Sequence, residues 1–62
     1  MKTLNILIVD DIFTNRLLLS ELIKTLGHTS FQAENGKEAL EIIEKENIDL
    51  ILMDIEMPVM NG

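Results

Sequence analysis

Two apolar runs of four residues, each closed by aspartate, constrain this chain more than any other feature: Ile6-Leu7-Ile8-Val9 leads into Asp10-Asp11, and Leu50-Ile51-Leu52-Met53 leads into Asp54. Short runs that are apolar at every position read as strands covered on both faces, the pattern of a parallel sheet. The first strand is expected over 4–10 and the last over 49–53, with Asp54 at its C-terminal end. Between them the spacing changes. Leu18, Leu22, Ile23 and Leu26, with Leu19 beside them, fall at helical intervals and predict a helix over 14–26 with Thr14 as its N-cap. Gly27 suits the left-handed position that ends a helix, and His28 is placed to interact with the last carbonyls. Phe31 and Ala33 alternate with Ser30 and Gln32, which predicts a short edge strand over 29–33. Asn35 followed by Glu38 has the spacing of a capping box, opening a helix that runs to about Glu46. Ala39, Leu40, Ile42 and Ile43 are its expected buried face, and Asn47 its left-handed stop.

The order is therefore strand, helix, strand, helix, strand. Such alternation predicts an α/β fold, with parallel strands joined by right-handed helical crossovers. Ligands of these sheets bind beyond the carboxyl ends of the strands, where strand order reverses. Asp10 and Asp11 follow the first strand and Asp54 the third. If those strands are neighbours, three carboxylates meet at one sheet edge.

Composition narrows the function. Residues 1–62 are one small domain at most. A net charge of −6 argues against binding nucleic acid through its phosphates, which takes Lys and Arg. The apolar runs fall far short of a membrane span of about 20 residues. Absence of Cys removes disulfides and thiolate metal sites. The N-terminus leads straight into a strand pattern without a signal-peptide layout. The expected setting is the cytoplasm, with neither nucleic acid nor membrane as partner.

Three carboxylates in close approach repel one another unless one is protonated or a cation offsets them. Oxygen-only ligands favour Mg²⁺, Mn²⁺ or Ca²⁺ over Zn²⁺. Mg²⁺ takes one or two protein carboxylates, keeps several waters and leaves room for a phosphate, which suits phosphoryl transfer. A neighbouring carboxylate is then a candidate nucleophile. Two other readings stand beside this one. Asp at strand ends also begins turns and caps helices. Asp54-Ile55-Glu56 has the spacing of a phosphatase Asp-x-Asp motif, but Glu replaces the second Asp and the motif is not on the first strand.

The chain as a whole resembles the receiver domain of response regulators. Ile6-Leu7-Ile8-Val9-Asp10-Asp11 with Asn15-Arg16 looks like its opening, and Ala33-Glu34-Asn35-Gly36 with Glu38-Ala39-Leu40 like its second strand and helix. Asp49-Leu50-Ile51-Leu52-Met53-Asp54-Ile55-Glu56-Met57-Pro58-Val59-Met60-Asn61-Gly62 is similar to its phosphorylation-site strand and following loop. The resemblance implies a βαβαβ half of a flavodoxin-like doubly wound fold, with strand order 2-1-3. It implies Asp54 as phosphoacceptor from a histidine kinase or phosphotransfer protein. It implies Mg²⁺, with Mn²⁺ as the alternative ion, held by Asp11, Asp54 and the backbone carbonyl of Glu56, with Asp10 acting through water. Met57-Pro58 would shape the acceptor loop, and Phe13 and Asn15 would sit near the mouth of the site.

A full receiver has five strands and about twice this length. The second half carries the Ser or Thr and the Lys that bind the phosphoryl oxygens. Phosphorylation of these residues alone is therefore expected to be impaired. The two helices are expected to cover strand 1 only in part, and strand 3 to present an apolar edge that recruits another strand. Two function classes follow: a phosphoacceptor, not itself an enzyme, or a non-catalytic half-domain that assembles as a homodimer through strand 3 or by exchange of elements.

Overall fold

The computed structural model describes residues 2–53. Five elements alternate along them: β1 (Asn5–Val9), α1 (Phe13–Thr25), β2 (Thr29–Ala33), α2 (Gly36–Lys45) and β3 (Leu50–Met53). The strands are parallel and lie in the order β2-β1-β3. The implied order is thus the one adopted, and β1 and β3 are neighbours. The β1–β2 ladder runs from Asn5↔Thr29 to Val9↔Ala33, and the β1–β3 ladder from Ile6↔Leu50 to Val9↔Met53.

Alternation along β1 builds two cores. Ile6 and Ile8 pack with Ile23, Leu19, Leu4 and Leu52 on the α1 face. Leu7 and Val9 pack with Ala33, Ala39, Phe31, Ile42 and Ile48 on the α2 face. The crossovers run in opposite directions along the sheet, so two right-handed connections place their helices on opposite faces. Both therefore cross the central strand. Ile6 to Val9 are at most 6% exposed, so these four residues of β1 are covered fully and not in part as the sequence suggested, with Asn5 at its start half-buried.

Local signals decide some helix ends and tertiary contacts decide others. Gly27 has φ +88°, and the N–H groups of Gly27 and His28 donate to the carbonyls of Lys24 and Ile23. This Schellman pattern closes α1 as the glycine predicted. Asn35 Oδ1 accepts from the Glu38 N–H at 2.9 Å, but Glu38 Oε1 accepts from the N–H of Glu34, one residue before the cap. Thr14 is not a cap: α1 begins at Phe13 behind Ile12, whose side chain makes no capping bond. Nor does His28 serve the helix end through its ring. Its Nδ1 accepts from the Leu4 N–H at 3.0 Å, tying β2's approach to β1's. Asn47 is not left-handed either, since no non-glycine among the described residues has positive φ. The α2 cap, Glu46, is extended.

The buried faces also differ from expectation. Leu18, Leu22 and Leu26 are 71%, 55% and 64% exposed, and α1 turns Leu19, Ser20 and Ile23 inward instead. On α2, Ala39 and Ile42 pack on the sheet, whereas Leu40 and Ile43 are exposed. Leu50, Ile51 and Met53 of β3 are exposed as well. Among the described residues no helix is long and apolar enough to cross a membrane.

Candidate functional site at the carboxyl edge of the sheet

The register sets the geometry of this edge. Val9 and Met53 are paired at the ends of β1 and β3, so Asp10 leaves the sheet directly beside the end of β3. Asp54 is the next residue in sequence after Met53; Asp54, Glu56 and Met57-Pro58 lie outside the described residues.

Asp10 is buried, and three of its atoms are engaged. Its N–H donates to the Ala33 carbonyl at 3.0 Å, extending the β1–β2 ladder one residue beyond the strands. Its Oδ1 accepts from the Ile12 N–H at 2.8 Å, an Asx-turn that bends the chain from β1 into α1. Its carbonyl accepts from Arg16 Nη1 at 2.6 Å. Asp11, next in the turn, is exposed. The two aspartates therefore differ in kind. Asp10 commits one carboxylate oxygen to the fold, whereas Asp11 stands in solvent.

Beneath the first turns of α1 lies an open cleft of about 340 Å³, lined by Val9, Asp10, Asn15, Leu18, Leu19, Leu52 and Met53. Asn15 lines this cleft. Phe13 is 61% exposed and does not line the cleft; its ring lies 5.5 Å from the Arg16 guanidinium carbon. Arg16 figured in the sequence only as part of a motif, yet it holds Asp10. Its visible signal is its spacing with Leu19, Ser20 and Ile23, the inward stripe of α1.

No group of three His, Cys, Asp or Glu side chains able to hold an ion is found among the described residues. Of the expected metal ligands, Asp10 and Asp11 are the ones described. Two adjoining carboxylates suit the hard, largely hydrated coordination of Mg²⁺ or Mn²⁺. Asp10 Oδ1 already accepts from the Ile12 N–H.

Residues 6–62 match the response regulator receiver domain. The chain belongs to that family. It is 47% identical over 62 residues to sporulation initiation phosphotransferase F of Bacillus subtilis, covering 100% of this chain and 50% of that protein. It is 49% identical over 57 residues to the autoinducer 1 sensor kinase/phosphatase LuxN of Vibrio harveyi, covering 92% of this chain and 7% of that protein. A chain in the crystal structure of the P1 domain of CheA3 in complex with CheY6 from R. sphaeroides superposes with a TM-score of 0.83 at 48% identity, over 100% of this chain and 50% of that one. The residues thus span half or less of the length of these relatives. They form a three-stranded part of the flavodoxin-like fold, and the family places them among the phosphoacceptor signalling modules of two-component systems.

Proposed function

We propose that Asp54 is the phosphoacceptor of a two-component phosphorelay, charged in the cytoplasm by a histidine kinase or phosphotransfer protein. A carboxylate oxygen of Asp54 attacks phosphorus. The O–P bond forms as the P–N bond to the donor imidazole breaks, and the electron pair leaves on nitrogen. Asp11, Asp54 and the backbone carbonyl of Glu56 would hold Mg²⁺ or Mn²⁺, with Asp10 reaching it through water. The ion would offset the charge of the transferring phosphoryl oxygens. The chain's own part is to hold the Asp10-Asp11 turn rigid and to set it beside the end of β3.

The observation that carries this reading is the Val9↔Met53 register, which brings the ends of β1 and β3 together. Family membership supports the acceptor role, and the matching solved chain comes from a complex of the P1 domain of CheA3 with CheY6. The test is incubation with acetyl phosphate and Mg²⁺ followed by intact mass measurement. A phosphoryl adduct is expected on the native chain and none on Asp54→Asn; an equal adduct on both would overturn the assignment. For the 62 residues alone we expect a slower reaction than for a five-stranded receiver.

A second reading rests on a different observation. Among the described residues β3 pairs with β1 on one side only, and Leu50, Ile51 and Met53 of this edge strand are exposed. Paired in this way, the 62 residues would form a homodimer in which strand addition replaces the catalytic role.

A further inference from the structure

We infer that Arg16 is a positioning residue for the acidic turn: its guanidinium locks the Asp10 carbonyl in place and so fixes the direction in which Asp11 is presented to a cation. The metal side of this inference rests on the function proposed above; the locking of the turn does not.

Three observations converge. First, Arg16 lies on the stripe of α1 that faces the sheet, one turn before Leu19 and Ser20 and two before Ile23, and is itself partly buried. A cation near a helix N-terminus opposes the helix dipole, and α1 has no acidic residue in its first turn to offset it. Helix formation thus does not account for Arg at this position. Second, the guanidinium bonds in two directions. Nη1 donates to the Asp10 carbonyl at 2.6 Å and Nε donates to Gln32 Oε1 at 3.3 Å, while Phe13 covers the group at 5.5 Å. The side chain therefore spans from β2 to the end of β1. Third, the group it holds is the hinge of the turn. The Asp10 side chain accepts from Ile12, two residues on, so Asp11 sits between two fixed points: the Arg16-bound carbonyl before it and the Asp10-bound N–H after it.

This arrangement needs the planar fork of Arg. An ammonium on a flexible stem supplies the charge but cannot reproduce two donors at fixed angles. The roles of charge and geometry can thus be separated by Arg16→Lys, and that of covering surface by Arg16→Met.

The experiment has two arms on the same chain. In the metal-free protein, amide hydrogen exchange is followed at Asp10 and Ile12. Arg16→Met is expected to speed exchange at Ile12 about tenfold or more, with global unfolding free energy changed far less than that factor implies. Unchanged exchange overturns the inference whatever the metal does. In the second arm, free Mn²⁺ is titrated by its EPR signal, with Asp11→Asn as the ligand control. Both Arg16→Met and Arg16→Lys are expected to weaken Mn²⁺ binding about tenfold, the scale on which loss of an orienting partner acts. Full rescue by Lys would reduce the role to charge and overturn the positioning claim. Native binding that Asp11→Asn leaves intact would instead overturn the metal reading, and the exchange arm would still decide the role of Arg16.

Discussion

At the scale of single residues, Asp10 joins two demands that conflict in the absence of a cation. The fold uses its Oδ1 to cap the Ile12 N–H, and the acidic edge adds its charge beside Asp11. Asn retains the acceptor and removes the charge, whereas Ala removes both. In urea unfolding with chelator present, Asp10→Asn is therefore expected to be neutral or stabilising, because it relieves like-charge repulsion. Asp10→Ala should cost about 1 kcal/mol, the usual loss for an uncapped backbone donor. Equal destabilisation by both would mean that the carboxylate charge itself holds the turn. The difference between Asp10 and Asp11 was not legible in the sequence, where they read as a pair. It arises because Asp10 continues the β1–β2 ladder to Ala33, a contact 23 residues away in sequence.

At the scale of elements, what could be read from the sequence was what local chemistry decides. Gly27 and Asn35 ended and began helices as expected, since a positive φ and an Asn cap depend on neighbours in the chain. Thr14 failed as a cap because Asp10, just after β1, takes the Ile12 N–H and the cap falls at Ile12, two residues earlier. Capping therefore differs at the two sites: Asn35→Ala should cost about 1 kcal/mol in thermal or urea unfolding, and Thr14→Ala only a few tenths. The reverse order would contradict the observed helix starts. The inward face of α1 was legible only in part: Leu19 and Ile23 turn to the sheet, Leu18, Leu22 and Leu26 do not. Two leucine stripes stand side by side on the helix, Leu18-Leu22-Leu26 and Leu19-Ile23, and helical spacing alone does not say which one meets the sheet. The crossover geometry selects the second, which includes Arg16 at its upper end and so brings that residue to the site.

At the scale of the whole molecule, the parallel order β2-β1-β3 buries the central strand and leaves both β3 and the outer α1 stripe uncovered among the described residues. Pairing of two copies through β3 brings together chains that each carry a net charge of −6, and this repulsion is screened by salt. Light scattering at micromolar concentration should then show a dimer that strengthens with added salt; a monomer that salt leaves unchanged would exclude this assembly. The acceptor reading depends on the same topology, because neighbouring β1 and β3 bring Asp10 to the end of β3 at Met53. Its most direct measurement locates the phosphoryl group itself. After reaction with a phosphodonor and Mg²⁺, borohydride reduces an aspartyl phosphate to homoserine, which peptide mass spectrometry assigns to a position. Homoserine at position 54 is the predicted result; homoserine at 10 or 11, or at no position, would contradict it.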